Sequence, residues 1–394
     1  MKKLEKKQIL VTTIFIVLIG SLIIFANIAE GKFNSKDFAG NYAFAKARVD
    51  NITYDNTSTL KNNEEAVKTT KQELEITILD TKHKEERYKI RNTVEALDMH
   101  KIIVSTGDEI LVNYTVGSDG KMNSIHLYEI VRDKYIYLLI FIFICSLILI
   151  CGKKGVKATI TLGLLGFMMI KVLMPIIMAG YNPLLFTIIV CIITSAAIIL
   201  FVNGISKKAI AAMIGTFGGI ILSAIIAVII GKACKITGLT GNEAQMLAFT
   251  SKSTTLDYRA ILFSAILIGA LGAIMDVSVS ISSAMNELIE IKPDISKKEL
   301  IKSGMNVGKD IMTTMANTLI LAYAGGGFTM FLLFIAENVS FTEIINLEII
   351  TTDIITAFSG SIGLVWTIPI TVYGMAVLFE KKAGSSITKK QTEF

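Results

Sequence analysis

The sequence predicts a polytopic α-helical membrane protein with about eight transmembrane helices and a small extracytoplasmic β-rich domain between the first two. The first observation is composition, because 52% of the residues are hydrophobic and the mean hydropathy is +0.60. The second is clustering, since the 18% of residues that are charged lie mostly between long apolar runs. The third is a polar stretch of about 100 residues after the first apolar run, which is long enough for one small domain.

Apolar runs of about 20 residues can cross about 30 Å of hydrocarbon. The candidate spans, of which the second is short and the seventh is interrupted, are Ile9–Ile28, Tyr135–Cys151, Ala158–Met178, Leu184–Val202, Ala209–Ile230, Ala260–Val279, Ile311–Ala336 and Ile354–Phe379. The first run could also be a signal peptide. It is longer than the apolar region of a usual signal, and Ala26-Asn27-Ile28 does not form an A-x-A cleavage site. We therefore predict a retained transmembrane anchor over residues 1–29.

Basic residues predict the orientation of the spans. With eight spans, every lysine cluster falls on one side of the membrane, and the positive-inside rule places both termini in the cytoplasm. The core of seven helices then covers residues 133–380, and a basic cytoplasmic tail covers 381–394. The clusters are Lys2, Lys3, Lys6 and Lys7; Lys153, Lys154 and Lys157; Lys207 and Lys208; Lys292, Lys297, Lys298, Lys302 and Lys309; and Lys381, Lys382, Lys389 and Lys390.

The net charge of +6 follows from this topology. A nucleic-acid site would need a basic patch on a folded surface, and the spans leave no soluble cytoplasmic domain to carry one. The predicted partner is therefore the lipid bilayer, with no nucleic acid.

Residues 30–132 predict the extracytoplasmic domain. Alternation at period two appears in Ala45–Tyr54, Glu73–Leu79, Ile110–Val116 and Ile125–Val131, which favours a compact five-stranded barrel of OB-like type. The three histidines of the chain, at 83, 100 and 126, match no metal template in their spacing and are predicted to lie at the surface. The domain could bind a ligand, recruit a protein partner or cap the bundle.

Several motifs of enzymes are missing from the sequence. It contains no G-x-x-x-x-G-K-[ST] and no H-E-x-x-H, and no histidine lies in a span. The four cysteines (Cys145, Cys151, Cys191 and Cys234) lie in spans or at their ends, which favours packing over a disulfide framework or a thiolate metal site. We therefore predict no cofactor, no metal and no ATPase, zinc-protease or serine-hydrolase activity.

Two polar stripes near the C-terminal end predict a polar pathway. Asp276, Ser280, Ser283 and Glu287 follow one another at spacings of four, three and four residues, and the same spacing recurs in Asn306, Asp310, Thr313 and Asn317. At about 100° per residue each set lies within a helical arc of about 60°. A carboxylate within a bilayer is costly unless it faces a partner, an ion or a wet cavity. The alternative for the first stripe is the solvated end of a span.

Other residues of the same spans belong to this predicted pathway. Lys171 lies inside the third span one turn before Pro175, where it could pair with Asp276 or extend towards the membrane interface. Thr314 adjoins the second stripe, and three consecutive glycines, Gly325, Gly326 and Gly327, interrupt the seventh span. Discontinuous helices are a feature of transporter binding sites, and a glycine-rich packing hinge is the alternative.

The helix that contains the seventh span also has recognisable signals for its start and its packing. Ser296 with Glu299 forms a capping-box pattern, and Gly304 with Gly308 forms a G-x-x-x-G step that permits close helix contact.

The same segments resemble a known family. The blocks LGAIMDVSVSISSAMNEL (271–288) and SGMNVGKDIMTTMANTLILAYAG (303–325) resemble signature blocks of the YibE/F family of bacterial membrane proteins, and AGYNPLL (179–185) resembles a loop of that family. The resemblance covers nearly the whole chain and implies a multi-pass permease-type protein of the bacterial cytoplasmic membrane. It supplies no substrate and no catalytic residues. Lys309 fills the family's basic position before Asp310, whereas Thr313 stands where glycine is common.

These observations lead to one main functional hypothesis and two alternatives. The main hypothesis is a secondary transporter in which Asp276 and Asp310 bind a proton, a small cation or a cationic substrate group. Asn306, Asn317, Ser280 and Ser283 would be neutral ligands, and Lys309 and Lys171 would modulate the carboxylates. The first alternative is a membrane scaffold or accessory subunit whose outer domain recruits a partner. The second is an intramembrane hydrolase with paired carboxylates.

Overall fold

The computed structural model describes residues 2–32, 43–55, 70–80, 83–94, 102–116, 121–250 and 256–379. The chain divides into two compact units. One consists of residues 35–150, and the other of residues 1–34 together with 151–394. The predicted basic tail and His100 lie outside the described residues.

The first unit is a curled antiparallel sheet followed by one helix. Its strands, β1 (Ala43–Asp55), β2 (Thr70–Ile78), β3 (Arg87–Val94), β4 (Glu109–Val116) and β5 (Met122–Ile130), have the spatial order β3-β2-β1-β4-β5. Ala47 of the central strand β1 lies between Ile78 and Ile110, and all three are fully buried. The two edge strands, β3 and β5, contact each other, so the sheet curls around its core. The OB-like type remains a prediction.

Strand β3 was absent from the segments that the sequence indicated. Its inward positions include Ile90 and Asn92, so a polar residue occupies a place where the alternation pattern requires an apolar one. Asn92 Nδ2 donates to the carbonyl of Ile102 at 2.8 Å and to Gln72 Oε1 at 3.1 Å. Gln72 is fully buried and in turn accepts from the Val104 amide. This amide network fixes the segment 102–104 to the sheet, because each buried polar group has a partner.

Helix α2 (Asp133–Cys151) belongs to the same unit as the sheet. Asp133 forms an ion pair with Lys46 of β1, and Lys134 Nζ lies 2.5 Å from Glu109 Oε1 of β4. The first turn of the helix is therefore attached to two strands. No residue of α2 is buried, and the helix is long and apolar enough to cross a membrane.

The second unit is a helical bundle. Its helices are α1 (Lys2–Lys32), α3 (Lys153–Phe167), α4 (Met174–Met178), α5 (Pro183–Asn203), α6 (Lys207–Ala233), α7 (Asn242–Thr250), α8 (Tyr258–Ile291), α9 (Lys297–Gly326), α10 (Phe328–Ala336), α11 (Phe341–Asn346) and α12 (Glu348–Leu378). Six helices of the described chain, α2 and the continuous α3–α4 among them, are long and apolar enough to cross a membrane, and the bent pair α9–α10 makes seven. The predicted first span lies within α1, in which Val17–Gly31 forms an apolar segment of the described residues. The number eight remains a prediction.

A π-helical segment, Met168–Leu173, joins α3 to α4 and contains Lys171. Pro175 follows it and has no amide to donate to the carbonyl of Lys171, four residues earlier. The wider π turn accommodates this missing bond, so the helix changes type before the proline.

Small residues hold α6, α8 and α12 together at the centre of the bundle. A Cβ on Gly215 would lie 1.8 Å from Thr371 Oγ1, and a Cβ on Gly219 would lie 2.0 Å from Thr367 Oγ1. These two threonine hydroxyls each donate to the carbonyl four residues earlier at 2.8 Å. The threonine hydroxyls therefore have hydrogen-bond partners within their own helix. Because the glycines have no side chains, the backbones of α6 and α12 can approach closely.

Helix α9 begins and packs as the sequence predicts. Ser296 Oγ accepts from the Glu299 amide at 3.2 Å, and the Glu299 carboxylate accepts from the Ser296 amide at 3.1 Å, which confirms the capping box. A Cβ on Gly304 would lie 2.6 Å from Met285 Sδ of α8, and one on Gly308 would lie 2.2 Å from Ile368 Cγ2 of α12. The close contact predicted from the G-x-x-x-G step is confirmed.

Candidate functional site

The stripe on α8 lies on the outer face of the bundle. Asp276, Ser280 and Glu287 are exposed, and Ser283 is half-buried. The opposite face of the helix is buried, with Ile274, Val277, Ile281 and Met285 among its core residues. Five residues separate Asp276 from Ile281, which puts the carboxylate about 140° around the helix from that core face.

The stripe on α9 is also exposed and points away from its neighbours. Gly304 and Gly308 form the buried face that contacts α8 and α12. Asp310 lies about 160° around the helix from Gly308. The exposed residues of α9 in this region are Asn306, Lys309, Asp310, Thr313, Thr314 and Asn317.

The two stripes therefore do not face one another across a cavity within one chain. The contacts of Met285 with Gly304 and of Ile281 with Gly308 set the register of the antiparallel pair, which puts Asp276 level with Thr313. The carboxylates of Asp276 and Asp310 lie within about one turn of each other in depth but are directed outwards from different helices. The helix pair packs through its glycines and apolar residues, and this packing fixes the polar residues outside.

The threonine hydroxyls of α9 have hydrogen-bond partners within their own helix and do not need a ligand. Thr313 Oγ1 donates to the Lys309 carbonyl at 2.9 Å, and Thr314 Oγ1 donates to the Ile311 carbonyl at 3.0 Å. Hydroxyls that bond to their own helix tolerate an apolar environment. The Asp310 carboxylate and the amides of Asn306 and Asn317 are the groups of this stripe that have no side-chain hydrogen bond within the described residues.

Lys171 lies on the π-helical segment, and its part in the predicted pathway stays a prediction. Its side chain is exposed, and in the described part of the chain no ion pair connects it to Asp276. The π segment that carries it packs against α1 and α5 rather than against α9. Of the two interpretations that the sequence left open, extension towards the membrane interface fits this position.

The glycine interruption forms a sharp break in the seventh span. Helix α9 ends at Gly326, α10 begins at Phe328, and the two helix axes are bent by 56°. At the break, the Gly327 amide donates to the Tyr323 carbonyl at 3.2 Å. A Cβ on Gly327 would lie 3.7 Å from Asp353 Oδ2 of α12 and 3.9 Å from the Ala324 carbonyl oxygen. The break is therefore placed directly against a carboxylate.

Asp353 is a residue that the sequence reasoning missed. It directly precedes the predicted last span at Ile354, whereas α12 begins at Glu348 and encloses Asp353 in its second turn. The side chain is half-buried, and within the described residues it has no hydrogen-bond or ion-pair partner. The available signal was its position between Thr352 and Ile354, an acid flanked by apolar and hydroxyl residues rather than by other charges.

Tyr323 completes this group. A Cβ on Gly269 of α8 would lie 2.4 Å from its hydroxyl oxygen, so the phenol extends across the missing side chain of that glycine. The Asp353 carboxylate is near enough to act electrostatically on this hydroxyl. A carboxylate and a phenol beside a helix break are suitable ligands for a proton or a small cation.

The carboxylates of the bundle occupy two different depths. Asp353 lies about 8 Å along α12 from Glu348. The Glu348 carboxylate accepts from the amide of Thr237 at 2.5 Å, in the loop after α6. Asp276 lies about 27 Å along α8 from its first residue, Tyr258, which is near the middle of that helix. No group of three or more acid, histidine or cysteine side chains in the described chain could hold a metal ion.

Comparison with known families gives matches over most of the chain. The model of the YibE/F-like protein family matches residues 139–381, and that of the YibE/F family N-terminal domain matches residues 41–129. Neither curated proteins nor solved structures include a significant match. The first region covers most of the helical bundle, and the second covers the sheet.

Proposed function

The chain belongs to the YibE/F family, and we propose that it is a secondary transporter, or permease, of the bacterial cytoplasmic membrane. The observation that carries this proposal is the 56° break at Gly327 with the Asp353 carboxylate against it. An unpartnered acid beside an interrupted helix is costly in a membrane unless it binds something. Transporters place their ion and substrate sites at such breaks.

In this mechanism the helix break is the outer site. Asp353 exchanges a proton or holds a small cation, and the phenol of Tyr323 and the carbonyls at the end of α9 contribute neutral oxygen ligands. The site needs only one negative charge, which suits a monovalent ion or a cationic substrate group.

Two further acids, Asp276 and Asp310, lie deeper along the proposed pathway than the helix break does. Asp276 lies midway along α8 and Asp310 midway along α9, and each would contact the ion separately, Asp276 with Ser280 and Ser283 as neutral ligands and Asp310 with Asn306 and Asn317. Lys309, next to Asp310, lowers the affinity of that carboxylate for cations and so favours release.

Liposomes that contain the purified protein and an internal pH indicator test the proposal. Asp353→Asn keeps the size of the side chain and removes its charge, so flux driven by a pH or cation gradient should fall by about tenfold or more. Asp276→Asn and Asp310→Asn, made singly, should each reduce flux. Asp294→Asn, in the exposed turn between α8 and α9, is the matched control. Parental flux in Asp353→Asn would contradict the role of the break.

The exposed stripes also favour a second function, that of an accessory subunit in a larger membrane assembly. Polar contacts between membrane helices average about 0.6 kcal/mol, so several in one stripe could hold a partner helix. A pull-down from native membranes would then show a stoichiometric partner that Asp310→Asn with Asn317→Ala releases. Flux in liposomes without that partner would separate the two functions. The hydrolase alternative gains no support, because Asp276 and Asp310 do not share a cavity.

A further inference from the structure

A cavity of about 380 Å³ lies among α5, α6 and α8, at the helix ends that the lysine distribution assigns to the outer side. It is separate from the helix break and shares no lining residue with it. Its wall combines the polar residues Asn182 and Thr237 with the cationic side chains Lys232 and Arg259. A volume of this size falls within the range of small-molecule sites.

The charge of this cavity is positive. Lys232 lies in the last turn of α6, and Arg259 lies in the first turn of α8. In the described chain neither side chain forms an ion pair with an acid. One acid, Asp257, lines the cavity, but its Oδ1 caps α8 by accepting from the Ala260 amide at 3.0 Å.

The arginine is held in place before any ligand binds. Arg259 is half-buried, and its Nε donates to the Ile236 carbonyl at 2.6 Å. The next residue of that loop, Thr237, is fixed in turn, because its hydroxyl donates to Glu348 Oε1 at 2.7 Å. The Nε bond leaves the two terminal nitrogens of the guanidinium for another acceptor. A guanidinium with a fixed plane is suited to the paired oxygens of a phosphate group.

The floor of the cavity is apolar. Leu184, Val228 and Phe263 line it, and all three belong to the small apolar cluster around Ile236 and Ile266. A ligand that fits therefore carries an anionic group at one end and an apolar part at the other.

We propose that this cavity binds the phosphate group of a phosphate ester, with Arg259 and Lys232 as its two cationic ligands and the apolar part of the ester on Leu184, Val228 and Phe263. The phosphate can come from two sources, a phospholipid headgroup or a soluble phosphate ester. Both require the same two cations.

Calorimetric titration of the purified full-length protein in a neutral detergent tests this site. The probes are dihexanoyl phosphatidylglycerol below its micellar concentration and, separately, glycerol 3-phosphate. Saturable binding of the lipid alone identifies a headgroup site, and binding of glycerol 3-phosphate identifies a soluble ligand. Either result supports the phosphate site, whereas no saturable binding of either probe overturns it.

Three variants show whether the two cations are responsible. Arg259→Gln and Lys232→Gln should each weaken binding by about tenfold, the loss of one charge-assisted contact. Lys235→Gln removes the same charge from an exposed residue of the adjoining loop that does not line the cavity, and should bind as the parent does. Lys232 is exposed and makes no hydrogen bond to the described chain, so Lys232→Gln keeps the test valid if Arg259→Gln fails to fold. Parental affinity in Lys232→Gln would overturn the proposal.

Discussion

At the scale of single residues, the glycines of α6 carry the closest contacts in the bundle. Gly219→Ala would place a methyl group 2.0 Å from Thr367 Oγ1 and 3.1 Å from the carbonyl oxygen of Gly363, which is backbone and cannot rotate away. We expect a loss of about 2 kcal/mol in the free energy of unfolding, as is usual for overpacking. Thermal unfolding in detergent measures the change.

Gly163→Ala is the control for this prediction. Gly163 lies in α3, and a methyl group added there would have no atom of a neighbouring element within 4 Å, so its alanine variant should keep or slightly raise the melting temperature. Equal destabilisation by both substitutions would show that helix–helix contact is not the cause.

A second prediction at the residue scale concerns how the stability of the sheet depends on pH. The Thr77 hydroxyl donates to Asp50, and this bond, with help from Arg48, lowers the pKa of the Asp50 carboxyl below its ordinary value. A depressed folded pKa stabilises the sheet above the unfolded pKa of about 3.9, and the contribution is lost as pH falls through the folded pKa.

Thr77→Val removes that hydroxyl with little change in shape. Peptides from β1 and β2 should exchange amide hydrogen faster in the variant at pH 7, and the difference from the parent should narrow below about pH 4. Hydrogen exchange, corrected for the intrinsic effect of pH on its rate, measures this. A difference that stays constant from pH 7 to pH 3 would contradict the assignment.

At the scale of elements, a substitution at the break between α9 and α10 should change transport without changing the stability of the fold. A methyl group on Gly327 would make ordinary contacts, 3.5 Å from Phe331 and 3.7 Å from Asp353 Oδ2, so Gly327→Ala should fold normally. It would nevertheless occupy space beside the carboxylate. We expect liposome flux to fall by about tenfold at an unchanged melting temperature.

Gly326→Ala provides the comparison within the same glycine run. No atom lies within 4 Å of a methyl group at Gly326, so this variant should retain most of the flux. If both alanine variants lost flux equally, the flexibility of the glycine run rather than access to Asp353 would be the cause.

At the scale of the whole molecule, two native cysteines report the orientation in the membrane. Cys234 and Cys151 are both exposed, at the end of α6 and at the end of α2 respectively. The lysine distribution puts Cys234 outside and Cys151 in the cytoplasm. A membrane-impermeant maleimide applied to intact cells should label Cys234 alone, and permeabilisation should add Cys151.

Single serine variants identify the labelled site. Cys234→Ser should abolish labelling of intact cells, and Cys151→Ser should leave it unchanged. Labelling of Cys151 from outside would show that the predicted orientation is wrong. The phosphate cavity would then lie at the cytoplasmic surface.

Several features of the fold could be predicted from residues close together in the sequence. The membrane class and the helical spans required only runs of apolar residues, because the transfer of side chains and satisfied backbone into lipid depends on composition and length. The capping of α9 by Ser296 and its close contact at Gly308 also depended on residues a few positions apart. The break at Gly327 was similarly visible, since three consecutive glycines weaken a helix wherever they occur.

The tertiary structure decided which way each helix faces. Period and spacing place Asp276 and Asp310 on stripes, but the rotation of a helix about its axis depends on partners far away in sequence, such as Ile368 for Gly308. The same holds for Asp353, which became a candidate ligand only when packing of α12 brought it to Gly327. Sequence determined what enters the membrane because that is a local free energy of transfer; contacts between distant segments determined which polar groups meet there.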